Sequence, residues 1–174
     1  MAISMRAEQI LRPARPSFIV VSLLTGFCLQ LLPLGHLAWW PDVLMVVLAF
    51  WALHQPQRIG IGVAFMLGLA MDVQGASLLG QHALAYCVLV FVVQAMQNRL
   101  LWYQSGWQQA VLLLLPFALT HLCLFVVGAA SSRVLPSPWL LLAPLLQALL
   151  WVPLRRLLLV PQMSPPSARE RRPI

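Results

Sequence analysis

Residues 41–86, PDVLMVVLAFWALHQPQRIGIGVAFMLGLAMDVQGASLLGQHALAY, hold two apolar runs and the start of a third, parted only by HQPQR and QGAS. The stretch reads as helices in series, with no strand. Pro41 suits a first helical turn, where its missing N–H costs nothing, and Pro56 ends that helix. Asp72 then stands inside an apolar run, one of only four acidic residues in the chain. In a bilayer or a dry core such a charge is expensive unless it finds a partner, a proton or water.

The whole chain shares this character. Its 174 residues are 61% hydrophobic and 9% charged, against roughly 25% charged in soluble domains, too few to cover a water-facing surface. The composition points to an integral membrane protein. The basic residues are all arginine and give a formal net charge of +7. They are scattered between apolar runs, a pattern of membrane topology rather than of nucleic-acid binding. Cys28, Cys87 and Cys123 follow no metal or redox spacing and read as small hydrophobes.

Six apolar spans are predicted: Phe18–Leu34, Trp39–His54, Ile59–Val73, Leu78–Gln97, Gln108–Ser131 and Trp139–Leu159. The first is longer than a signal-peptide core and has no convincing cleavage site, so it is expected to be retained. Between Pro41 and Pro56 the second helix is only about 21 Å long, short for a core of about 30 Å. It is either extended through Trp39 and Trp40 or shielded at one end by protein. Pro116 predicts a kink in the fifth span, and Pro144 and Pro153 interrupt the sixth. The expected organisation is a basic N-terminal segment (1–16), a six-helix membrane domain (17–160) and a disordered Arg/Pro-rich tail (161–174).

Six spans put both termini on one side, and the arginines test this. Arg6, Arg12, Arg15, Arg58, Arg99, Arg155, Arg156, Arg169, Arg171 and Arg172 fall on the terminal side and only Arg133 on the other. Positive charge stays in the cytoplasm, so both termini are expected there. Arg58, Arg99, Arg155 and Arg156 are the topology determinants between and within the spans. The seven tryptophans lie mostly at predicted span ends and read as interfacial anchors.

This topology brings Asp42 and Asp72 to the same, periplasmic, boundary. Asp42 opens a helix, where a capping carboxylate is favoured. Asp72 closes one, where the helix dipole disfavours it. Gly60, Ala64, Gly68, Asp72 and Ala76 are spaced by four and form a stripe of small residues suited to close helix packing, either within the chain or with a partner. Gly62 adds a thin point on a neighbouring face. Gly75 and Gly80 allow a sharp reversal that brings Gln81 and His82 near Asp72. His82 either bonds Asp72 or faces water, and Asp42, Asp72 and His82 form the expected polar cluster. His36 reads as a loop residue, His54 as interfacial, and His121 as an interhelical donor. No nucleophile, metal spacing or phosphate loop accompanies these groups, so neither an enzyme nor a cofactor is expected.

The ordered set Pro41, Trp51, Pro56-x-Arg58, Gly60/Gly62, Phe65, Gly68, Asp72, Gly75, Leu79-Gly80 and Leu84-Ala85, followed by WQQA at 107–110, resembles the rod shape-determining MreD family. The motif detail covers residues 41–110; the first and last two spans agree in hydropathy and order. Asp42 departs from the Asn often found there in proteobacterial members, so a cap rather than a charge is what that position requires. The resemblance implies an all-α integral membrane protein, a compact bundle of six transmembrane helices similar to vitamin-transporter substrate-binding subunits. It implies an inner-membrane scaffold of the cell-elongation machinery that works with MreC, and through it with MreB, RodA and its transpeptidase partner. A lipid- or solute-binding module built around Asp42, Asp72 and His82 is the alternative.

Overall fold

The computed structural model describes residues 15–31, 41–75, 77–103, 105–132 and 142–160. The readings made for Arg6, Arg12, Arg133, Arg169, Arg171, Arg172, Ala76, His36, Trp39, Trp40 and Trp139, and for the tail, lie outside these residues. The described residues form seven α-helices and no strand: α1 Pro16–Leu31, α2 Val43–His54, α3 Ile61–Gln74, α4 Gln81–Ala95, α5 Gln97–Trp102, α6 Gly106–Ser132 and α7 Ala143–Leu159. The helix beyond the expected six is α5. It occupies the polar linker after the fourth apolar run and is parted from α4 by Met96 alone.

The short second helix is the centre of the molecule. Every residue from Leu44 to Leu53 is buried, because α1, α4, α5 and α7 all pack against α2. Asp42 is extended at its N-cap, so the helix starts after it, at Val43. Twelve residues rise only about 18 Å, which suffices for a helix wrapped in protein rather than lipid. Trp51 and Trp151 are 0% exposed, correcting their reading as interfacial anchors. The Trp51 indole N–H donates to Ser22 Oγ of α1 at 2.7 Å, and Trp151 packs against Phe50.

Around α2, helix α4 packs on α6 and α6 on α7, while α3 lies against α4. Helix α6 explains why the outer surface is apolar. Its inward row is Leu113, Phe117, His121 and Leu124, and its outward row Val111, Leu115, Leu119, Leu122 and Val126. A helix apolar on both faces belongs in a lipid-like solvent. Residues Gly106–Ala130 are long and apolar enough to cross a bilayer; α1 to α4 are apolar but shorter. Helix α6 runs unbroken through Pro116. Pro144 falls in the first turn of α7, where no N–H is needed, and Pro153 lies inside a continuous helix rather than interrupting it.

Glutamines stitch the helix ends together. Gln94 Nε2 donates to Ile59 O at 2.9 Å and Gln97 Nε2 to Leu53 O at 3.1 Å, while Gln109 Nε2 donates to Leu100 O and Tyr103 O. Carbonyls in the last turn of a helix or in a connecting turn have no intrahelical donor. These side chains supply one in a protein with few other polar groups. They also bring the C-terminal ends of α2 and α4, the start of α3 and the start of α6 to one end of the molecule. Asp42, Asp72 and His82 occupy the other.

Candidate functional site

Helix α4 starts badly by itself. Its N-cap is Gly80, which has no side chain to cap the first turn and sits in the left-handed region at φ 101°. An uncapped first turn leaves backbone N–H groups without partners. Asp72, in the last turn of α3, fills them from across the turn. Its Oδ2 accepts from Gly80 N–H at 2.8 Å and Ala83 N–H at 3.3 Å, and its Oδ1 accepts from His82 N–H at 2.8 Å. Gln81 N–H bonds Leu78 O and Leu84 N–H bonds Gly80 O, which completes the turn.

Two side chains finish the carboxylate's surroundings. His82 Nδ1 donates to Asp72 Oδ1 at 2.8 Å, and Ser77 Oγ donates to the same atom at 2.9 Å. Asp72 is 1% exposed, yet each oxygen has at least two donors. The dipole of its own helix opposes the charge and the dipole of α4 favours it. The directed N–H groups decide the balance, since hydrogen bonds to a charged group are the stronger kind.

The approach that makes this possible occurs at Gly68. A Cβ there would lie 2.6 Å from both Ala83 N and His82 O and would also meet Ala83 Cα. These are backbone atoms of the turn that Asp72 caps, so they cannot swing aside. Ala64 is also fully buried on this face. The rest of the expected stripe behaves differently. Gly60 is the N-cap of α3, and a Cβ at Gly60 or at Gly62 would meet nothing within 4 Å. Gly75 is right-handed at φ −80°, so of the two turn glycines only Gly80 uses the conformational freedom of glycine.

Asp42 is held differently. Its Oδ1 accepts from Met45 N–H at 3.0 Å, capping α2, and its Oδ2 accepts from the Tyr86 hydroxyl. Tyr86 lies one turn after His82 on α4, and their rings meet edge to face at 6.3 Å. A line Asp42–Tyr86–His82–Asp72 therefore joins the start of α2, the first turns of α4 and the end of α3. Tyr86 and Ser77 were not picked out from sequence. The available signal for Tyr86 was its i+4 spacing from His82, which puts both on one face.

His121 lies on α6 beside this end, where Gln81 Nε2 donates to Leu124 O at 3.2 Å. Its Nδ1 bonds Phe117 O of its own helix at 2.9 Å. His54 Nδ1 does the same with Phe50 O at the far end of α2. The topology arginines lie at that far end: Arg58 follows α2, Arg99 is on α5, and Arg155 and Arg156 are on the last turns of α7. Among the described residues no group of three His, Cys, Asp or Glu has a metal-binding arrangement.

Residues 13–160 match the model of the family described as rod shape-determining protein MreD. A protein named rod shape-determining protein MreD from Haemophilus influenzae is 35% identical over 95 residues, which cover 51% of this chain and 56% of the relative. The matched stretch thus spans little more than half of that relative's length. No solved structure matches.

Proposed function

Because this chain belongs to the MreD family, whose members determine rod shape, we propose that it is a non-enzymatic inner-membrane scaffold of the machinery that elongates the cell wall. In this reading it binds MreC, through its membrane span and periplasmic domain, and so couples MreB, RodA and the transpeptidase partner of RodA to the membrane. Helices α1 to α4, α6 and α7 are the six spans, with α5 a short connector on the cytoplasmic side and both termini cytoplasmic. The concentration of arginine at one end and carboxylate at the other supports that orientation.

The observation that carries the scaffold reading is the α3–α4 hairpin, closed at Gly68 and tied by Asp72. Its inner face is filled by its own chain. Its outer face, with Phe65, Met66, Val73, Leu79, Leu84 and Phe91, is exposed and apolar and is available to a neighbouring span. Both carboxylates are engaged by internal donors, which favours architecture over the solute-binding alternative. Tying the hairpin gives a partner one rigid surface in place of two loosely joined helices.

The test replaces the native copy in cells by Asp72→Ala and Gly68→Leu variants that still insert. The proposal expects loss of MreC on co-purification and loss of rod shape. Normal complexes from both variants, in cells that remain rods, would remove the hairpin from the docking role.

A further inference from the structure

The apolar band on the outside of the protein is uneven in height. In α6 the stretch Gly106–Ala130 is long and apolar over 25 residues. That is a rise of about 37 Å, enough to cross a hydrocarbon core of about 30 Å even when tilted. Helix α3 has 14 residues and α4 has 15, so each rises only about 21 to 23 Å. Polar residues bound both helices. Gln57 and Arg58 are exposed before α3 and Gln74 at its end, while Gln81 and His82 open α4 and Asn98 and Arg99 are exposed just after it.

The hairpin is held against stretching at both ends. Gln94 Nε2 of α4 donates to Ile59 O, just before α3, at 2.9 Å. At the other end Asp72 Oδ2 accepts from Gly80 N–H at 2.8 Å, and Ser77 Oγ donates to Asp72 Oδ1 at 2.9 Å. These bonds draw the turn back onto α3, so the exposed Leu78 and Leu79 add little height. Between the ends, Gly68 lies against the backbone of His82 and Ala83, which keeps the two helices from sliding past each other. The outer face is exposed as well as short: Met66 of α3 is 65% exposed and Phe91 of α4 62%. Helix α2 is shorter still, but protein encloses it, so lipid does not meet its length.

Drawing Arg58 or Gln74 into hydrocarbon is costly, and a glutamine stem is too short to reach far out of it. A rigid apolar face shorter than the core is accommodated by thinning of the bilayer beside it. We propose that the α3–α4 face compresses the adjacent bilayer and is matched to lipids with short acyl chains, whereas the α6 face is matched to chains of ordinary length. This inference rests on the six-span reading given above. A partner span that displaces the compressed lipid relieves the mismatch, so thicker bilayers strengthen docking at the hairpin.

The experiment uses the full chain with Cys28→Ala, Cys87→Ala and Cys123→Ala and one fluorophore, attached at Met66→Cys on α3 or at Leu115→Cys on α6. Each protein is reconstituted in dioleoyl phosphatidylcholine vesicles containing a minor amount of phosphatidylcholine with brominated myristoleoyl, oleoyl or erucoyl chains. Quenching measures which lipid gathers beside each label. At position 66 the myristoleoyl lipid is expected to be favoured over the erucoyl lipid by about threefold, and at position 115 it is not favoured. The same order of preference at both positions, or a preference for the erucoyl lipid at position 66, overturns the proposal. Quenching without preference at position 66 overturns the compression and leaves the six spans standing. No quenching there by any lipid overturns both. Should either labelled chain fail to fold, the same comparison between Phe91→Cys on α4 and Val126→Cys on α6 decides.

Discussion

At one end of the molecule, the oxygens of Asp42 and Asp72 are filled by donors from the same chain. At the other, Arg155 is only partly buried, and its Nε has no hydrogen-bond partner among the described residues. The difference separates two uses of charge in an apolar protein. A buried charge with all its partners supplied internally ties elements together and gives a rigid framework. A charge that is only partly buried keeps solvent as one of its partners. The contrast also explains why a carboxylate is tolerated in the α3–α4 turn. Asp72 is the cap that Gly80 lacks.

That comparison can be broken at several points. The largest effect is expected for Asp72→Ala, which strands the N–H groups of Gly80, His82 and Ala83 and should destabilise by about 3 kcal/mol or more, given ~1–3 kcal/mol per buried unsatisfied group. Thermal unfolding in detergent measures it, and a loss below about 1 kcal/mol would mean water replaces the carboxylate without difficulty. Gly68→Ala comes next, at about 2 to 3 kcal/mol, because the new methyl meets backbone that must shift.

Tyr86→Phe removes the partner of Asp42 Oδ2 and should cost about 1 to 2 kcal/mol, while Asp42→Asn, which keeps the cap to Met45, should cost less than the tyrosine change. A reversed order would show that the Asp42 charge, rather than its cap, is what matters. The smallest effects belong to Gly60→Ala and Arg155→Gln, each expected within about 0.5 kcal/mol of native stability. For Gly60 the reason is open space. For Arg155 it is partial exposure and an Nε that makes no hydrogen bond among the described residues.

Much of the framework was legible from sequence. The apolar runs matched helices, Pro41 and Asp42 marked the start of α2, and Pro56 marked its end. Four-residue spacing put Ala64, Gly68 and Asp72 on one face. The rest depended on contacts that spacing does not carry. Periodicity could not distinguish Gly68, which meets backbone, from Gly60 and Gly62, which meet nothing. Nor could it tell a tryptophan at a span end from one in the core, because the burial of Trp51 and Trp151 depends on which helices surround α2. Tyr86 escaped notice because its partner is 44 residues away.

By itself the sequence determined that this is an apolar, helical, membrane-type chain with charge segregated along it, since composition and run length are properties of the linear chain. It also determined the family, through the ordered motif around Asp72. Only the tertiary structure decided what the carboxylates do. A helix dipole or an uncapped N–H acquires its consequence from what lies within about 3 Å of it, and that neighbourhood exists only once α3 has folded back onto α4 and α7 has packed against α6.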